Sequence, residues 1–388
     1  MGGPLSQVKV LELRGRGPGP FGAMVLADLG ADVVSLIRPA ETTAADSGAE
    51  RMINGSRRID PVLRGRRTLA VDLKHPEGRA TALRLADHAD VLVEGNRPGV
   101  AERLGLGPQV CLDRNPRLVY ARITGWGQDG PLAHTPGHDI NYVALSGTLD
   151  LLRDRDGRPT PPLNLLGDYG GGGMLLVIGI LAALAERTHS GRGQVVDAAM
   201  LDGIALLTTV VHGMRAEGLW SQTPGGNILD LAAPFYNVYR TADDRWVSIG
   251  CGEPRFYARL LDHLGLTAEL LPHQGDPATW PAATARIAEV FATGTFEHWR
   301  TLLEDTDTCF APVLTLDEAA AHPHHRARGT FTSVDGVVQP APAPRFGRTP
   351  ATTPPPPAAE DPAAVLRDWG VAPADIGTVL DSGAVTRG

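Results

Sequence analysis

The sequence predicts an α/β fold built on a parallel sheet. Three observations carry that expectation. Short aliphatic and β-branched runs alternate with longer helical stretches through the first third of the chain. Turns rich in glycine and proline separate the runs. The composition, 43% hydrophobic and 21% charged over 388 residues, is that of an ordinary globular enzyme with a sizeable core. At roughly 150 residues per domain, that length allows two or three domains.

Taken in order, Val8–Leu13 reads as a buried strand, Phe21–Leu29 as a helix and Ala31–Ile37 as a second strand. This β-α-β order implies a right-handed crossover. Thr68–Asp72 reads as a strand, Pro76–Ala89 as a helix, and Val91–Val93 and Leu118–Thr124 as strands, the last ending in the turn Gly125-Trp126-Gly127. Sheets of this kind bind ligands at the carboxyl ends of their strands. A helix is expected over Gly170–Glu186 after a glycine run. A second long one, apolar nearly all round, is expected over Val195–Met214. Ser221–Asp230 reads as a linker, and Ala233–Arg240 with Arg245–Gly250 as a strand pair around Asp243-Asp244. Helices dominate from there to about Ala321. Val338–Pro357 reads as an extended proline-rich connector, and Ala363–Trp369 and Asp375–Ser382 as terminal helices.

Net charge is −8 with a pI of about 5.8, and no long basic stripe occurs, which argues against a nucleic-acid partner. Cys111, Cys251 and Cys309 lie far apart, which argues for a reducing compartment and a cytoplasmic location. No Cys/His cluster has metal-ligand spacing, so no metal is expected. The N-terminus shows no charged region followed by an apolar run, so no signal peptide is expected. The most apolar stretch, Met174–Leu184, is shorter than the roughly 18 residues a membrane span requires, so no span is expected.

Gly17-Pro18-Gly19-Pro20-Phe21-Gly22 fits the dinucleotide fingerprint G-x-G-x-x-G between a strand and a helix. Its two prolines remove N–H groups that would cradle a pyrophosphate. The second strand ends in Arg38 rather than an acidic residue for a ribose hydroxyl. An NADP site, with Arg38 on a 2′-phosphate, and a tight turn with no ligand both remain open. The favoured reading is a different nucleotide whose adenosine phosphate meets Arg38.

Nine segments together carry a resemblance to a known family. They include Val10–Val34, Asn96–Gly107, Ala121–Pro131, GHDINYVALSG at Gly137–Gly147, GDYGGGGMLLVIGILAAL at Gly167–Leu184, Ser190–Asp202 and GEPRFY at Gly252–Tyr257. The chain resembles the α-methylacyl-CoA racemases, a branch of the class III (formyl-CoA type) CoA-transferase superfamily. The resemblance implies a large Rossmann-like domain with a parallel sheet, a smaller α+β domain, and an interlocked homodimer. On that basis residues 1–190 form the large CoA-binding domain and 191–229 a linker helix and linker. Residues 230–320 form the small domain, and 321–388 a connector and C-terminal segment returning to the large domain.

The implied reaction is inversion at the carbon next to an acyl-CoA thioester. Two groups on opposite faces of a planar enolate exchange protons, with no metal or organic cofactor. The resemblance assigns His138 and Asp168 to that pair, Glu253 to orienting the imidazole, and Asp139 to supporting Asp168. Read without it, His138 is a helix-start residue and Asp168 an N-cap. The glycines after Asp168 are expected to let a ligand approach the backbone, and the N–H groups of that helix start to help hold the enolate oxygen. Arg38, Arg97 and, more weakly, Lys74 match positions near the CoA phosphates, which arginine suits through its two-pronged fork. Arg16, Gly171 and Tyr142 are the acyl-pocket candidates. Arg14 and Arg16 stand where the racemases carry apolar residues, and Leu231 and Ala232 replace glycines, so the acyl group is open. The competing chemistry is CoA transfer, with Asp168 as a nucleophile forming an acyl anhydride and then a CoA thioester. His138 and Glu253 favour the racemase.

Overall fold

A computed structural model describes residues 2–39, 60–154 and 156–387. The chain divides into two compact units. The first comprises Met1–Leu149, Pro161–Thr208 and Arg328–Gly388, and the second Asp150–Thr160 and Thr209–Ala327.

The first unit is a doubly wound sheet. Its parallel strands are β1 (Lys9–Leu13), β2 (Asp32–Ile37), β3 (Arg66–Val71), β4 (Val91–Glu94), β5 (Val119–Thr124) and β6 (Val195–Ala199), in the spatial order β3-β2-β1-β4-β5-β6. The order reverses between β1 and β4, and the crevice outside their carboxyl ends is where such sheets seat a ligand. Strand alternation sends Val10 to one face and Leu11 to the other. Val10 packs with Leu26, Val33, Leu176 and Ile180. Leu11 packs with Val34, Leu85, Tyr120 and Trp369. Both faces are covered, as parallel sheets require.

Helix α1 (Pro18–Asp28) follows β1 directly. Pro18 supplies a preset φ in the first turn, and Gly17 at φ +64 turns the chain as few other residues could. Helix α2 (Pro76–His88) and α3 (Asp139–Leu145) come next. Leu165–Met174 then forms a π-helix that runs on into α4 (Leu175–Ser190).

Three expectations need correction here. The expected helix over Val195–Met214 begins as a strand, because Val195–Ala199 pairs with β5 at the sheet edge. Only afterwards do α5 (Met200–Leu207) and α6 (Thr209–Ala216) form. A run apolar on all sides does not distinguish a buried strand from a helix. The π-helix and α4 together make 26 continuous helical residues, with a mean hydropathy of 1.6 in the most apolar window. By length and composition alone this segment is long enough to cross a membrane, so the shortness argument fails. Leu176, Val177, Ile180 and Ala183 instead bury against the sheet. The connector expected at Val338–Pro357 begins inside a hairpin of Phe331–Val334 and Val337–Pro340. Asp335 and Gly336, both at positive φ, form its two-residue turn.

The C-terminal segment is built into the first unit. Its helices Pro362–Asp368 and Pro373–Asp381 lead to the strand Val385–Arg387, which pairs antiparallel with β3. Trp369 is fully buried and donates to Asp32 at 2.9 Å.

The second unit holds an antiparallel sheet of β7 (Tyr236–Arg240), β8 (Trp246–Gly250) and β9 (Phe310–Pro312). The first two pair as expected, while β9 interrupts the stretch read as helical. Helices α7 (Pro254–Leu264), α8 (Trp280–Phe291) and α9 (Phe296–Leu303) close its core around Tyr239, Tyr257, Phe291 and Trp299.

Close glycine packing fixes how α5 crosses the π-helix. A Cβ on Gly203 would lie 1.9 Å from the carbonyl oxygen of Gly171, and one on Gly171 would lie 2.7 Å from the Ile204 nitrogen. Backbone lies on both sides, so nothing can give. Gly203→Ala is expected to destabilise the protein by about 3 kcal/mol or more, read by chemical denaturation.

Candidate active site

The first unit gathers four sequence elements around one carboxylate. Asp168 sits in the π-helix, half-buried. Its backbone N–H donates to Asp139 Oδ1 at 2.7 Å, and Asn164 Nδ2 donates to its Oδ2 at 3.2 Å. A Cβ on Gly17 would lie 3.1 Å from the same oxygen, so the turn between β1 and α1 rests against the carboxylate. Phe21 and Tyr169 stack beside it with centroids 4.5 Å apart.

Burial pushes the Asp168 carboxyl above the usual carboxylate range. The Asn164 amide draws it down, the Asp139 charge pushes it up, and the His138 charge draws it down. Asp139 is itself raised by burial, with the N–H groups of Asp168 and Gly167 drawing it back. Its Oδ1 lies where a Cβ on Gly167 would come within 2.2 Å, which leaves only glycine room there.

His138 is the exposed N-cap of α3. Its backbone N–H donates to Asn141 Oδ1 at 3.0 Å. Tyr142, one turn on, is buried edge-on against Trp126 with centroids 4.6 Å apart. Gly125 and Gly137 make that seat, since a Cβ on either would come within 2.0 and 2.7 Å of the Tyr142 ring. Burial pushes the Tyr142 phenol up to about 12, the charges of Asp168 and Asp139 add to that, and Arg97 draws it down. His138, Asp139, Asp168, Tyr142 and Arg97 therefore share one neighbourhood.

The remaining candidates lie on other elements. Arg38 follows β2, Lys74 follows β3 and Arg97 follows β4. All three are exposed past the carboxyl ends of their strands, β2 and β4 flanking β1 and β3 lying one strand further out. Arg16 is exposed on the turn that carries Gly17. Arg14 is directed elsewhere. Its Nε donates to Ser35 at 3.1 Å and its charge lowers Glu12, in a buried cluster with Arg66. Glu253 is carried by the second unit, exposed as the N-cap of α7. Among the described residues, no group of His, Cys, Asp and Glu is placed to hold a metal.

Two site expectations are corrected. Gly171, expected to line the acyl pocket, is buried against α5 with no room for a methyl group. Gly172 and Gly173 likewise press on Gly167, Met200, Pro18 and Phe21. The glycine run serves helix packing rather than ligand approach. Asp168 also lies inside the π-helix rather than at its N-cap, and its N–H is already taken by Asp139. Sequence reading missed Asn164. Its i, i+4 spacing to Asp168 on a helix was the available signal.

The contact at Gly17 gives a direct test. Gly17→Ala introduces a methyl against Asp168 and places alanine at positive φ. Thermal stability is expected to drop by about 1–2 kcal/mol, and turnover by roughly tenfold or more through the displaced carboxylate.

The family model for CoA-transferase family III matches residues 5–364. The chain is 45% identical over 379 residues to the α-methylacyl-CoA racemase of Mus musculus, covering 96% of this chain and 95% of that one. It is 30% identical over 345 residues to the acetyl-CoA:oxalate CoA-transferase of Acetobacter aceti, covering 87% and 88%. The crystal structure of a CAIB/BAIF family protein from Brucella suis matches with a TM-score of 0.79 at 26% identity, covering 95% and 100%. The chain belongs to CoA-transferase family III.

Proposed function

We propose that the chain racemises 2-methylacyl-CoA, or related 2-substituted acyl-CoA, thioesters. His138 and Asp168 act on opposite faces of the α-carbon. One group removes the α-proton, the electron pair delocalises onto the thioester oxygen, and the other group returns a proton from the far side. The pair then exchanges protonation states for the reverse direction. The observation that carries this reading is the 2.7 Å bond from the Asp168 N–H to Asp139 Oδ1, which ties the Asp168 turn to the helix start that His138 caps. Burial raises the Asp168 carboxyl above its usual range, the direction that suits a group serving as both acid and base. Greater identity to a racemase than to an oxalate transferase supports the same choice.

In this reading Glu253 accepts from the His138 imidazole and fixes its tautomer and orientation. Arg38, Arg97 and Lys74 hold the phosphates of CoA, and Tyr142 and Arg16 border the acyl group. The CoA moiety belongs to the substrate, and no further cofactor takes part. The working form is a homodimer, with Glu253 supplied by the second copy. Ile140, Leu145, Leu165, Met174, Ile178 and Leu206 support this, because all are exposed apolar residues on helices that pack together in the first unit. Sedimentation as a single 41.0 kDa chain would remove the dimer from the account.

The experiment follows the optical purity of one enantiomer of a 2-methylacyl-CoA, with a free carboxylic acid added. Loss of optical purity with CoA staying on the original acid is expected. Retained configuration with CoA moving to the added acid would instead support Asp168 as an anhydride-forming nucleophile.

A further inference from the structure

We infer that Gln274 is a positioning residue that fixes the direction of Glu253. The inference rests on the role proposed for Glu253 above.

Glu253 stands between two fixed points. On one side the N–H of buried Cys251 donates to Phe235 at 2.8 Å. On the other, the Glu253 carbonyl accepts from Phe256 and Tyr257 at 3.0 and 3.1 Å as α7 begins. Between these points lies the peptide plane joining Gly252 to Glu253. Packing does not hold that plane, because no atom lies within 4 Å of a Cβ placed on exposed Gly252. Its carbonyl instead accepts from Gln274 Nε2 at 2.9 Å. Rotating this plane swings the Cα–Cβ bond of Glu253, so the hydrogen bond governs where the carboxylate points.

Gln274 is itself anchored. Trp280 Nε1 donates to its carbonyl at 2.9 Å, and the Trp280 ring meets Phe235 edge-on with centroids 5.5 Å apart. Phe235 is also the residue that receives the Cys251 N–H, so the frame closes on itself. A cavity of about 170 Å³, lined in part by Pro234, Tyr257, Leu270, Gln274 and Trp280, lies within this frame. Directional hydrogen bonds, rather than close packing, therefore set the geometry of the Gln274 loop.

The test uses the full chain with Gln274→Met, which keeps the side chain's length and removes its donor. Gln274→Glu, which turns an acceptor toward the Gly252 carbonyl, is the second variant, and Glu253→Gln the reference. The readout is α-deuterium exchange of a straight-chain 2-methylacyl-CoA. Gln274→Met is expected to lower kcat about fivefold with KM within about twofold. Gln274→Glu is expected to lower kcat further, again with KM little changed. Adding Gln274→Met to Glu253→Gln changes nothing more, since both act through one carboxylate.

A wild-type kcat in both Gln274 variants, beside an impaired Glu253→Gln, would overturn the Gln274 assignment and leave the Glu253 role standing. A further loss of kcat when Gln274→Met is added to Glu253→Gln would also overturn it, since that marks a general structural effect. An unimpaired Glu253→Gln would overturn both.

Discussion

In a His138→Ala variant, α-proton exchange is expected to fall by about 10²–10⁴-fold while CoA thioester binding stays within about twofold, as measured by exchange kinetics beside calorimetric titration. The asymmetry follows from where His138 sits. It is exposed, and its backbone N–H keeps Asn141 after the side chain is removed. The buried Tyr142 seat and the Asp139–Asp168 link do not depend on the imidazole. In the proposed mechanism, replacement therefore removes one proton carrier and little else. An unchanged exchange rate would remove His138 from the mechanism. A transferase that attacks through Asp168 would keep its half-reaction in this variant.

Asp168→Asn is expected to lose activity on the same scale, about 10²–10⁴-fold, yet to melt slightly higher than wild type at neutral pH. Burial holds the Asp168 carboxyl above its ordinary value, with the Asn164 amide, the Asp139 charge and His138 modulating it. The folded state therefore holds this proton more tightly than the unfolded chain does. Its contribution to stability is fully present below the unfolded carboxylate pKa, and is lost as pH rises through the raised folded value. At pH 7 the wild type bears the cost of a half-buried charge that asparagine lacks. The difference in melting temperature is expected to close as pH falls to about 3, below the ordinary carboxylate range. A variant less stable than wild type at pH 7 would contradict a raised Asp168.

The sheet was the most legible part of the sequence. β1, α1 and β2 carry aliphatic runs punctuated by Gly17, Pro18 and Gly30, and those signals act locally. Val195–Ala199 was not legible, because its strand character depends on pairing with β5, where Val195 meets Tyr120 from far back in the sequence. The short C-terminal strand Val385–Arg387 depends in the same way on β3. His138, Asp139 and Asp168 were found through their motifs, but their mutual arrangement was not. The bond from the Asp168 N–H to Asp139 and the pressure of Gly17 on the carboxylate join segments far apart in sequence. The glycines after Asp168 show how a motif can point to the right place for the wrong reason. They suggested ligand access, whereas the atoms nearest Gly171 and Gly173 belong to neighbouring helices. Arg14 shows the opposite case, a charge that looked available to substrate and is directed to Ser35.

The central claim is that two groups, His138 and Asp168, pass a proton across the α-carbon. Deuterium wash-in tests it most directly. A single enantiomer of a 2-methylacyl-CoA is incubated in deuterated water with the enzyme, and both enantiomers are isolated at low conversion. Two opposed groups predict α-deuterium in the inverted product and little in recovered starting material. No α-deuterium in either enantiomer, with CoA appearing on an added carboxylic acid, would contradict proton exchange and assign Asp168 to acyl transfer.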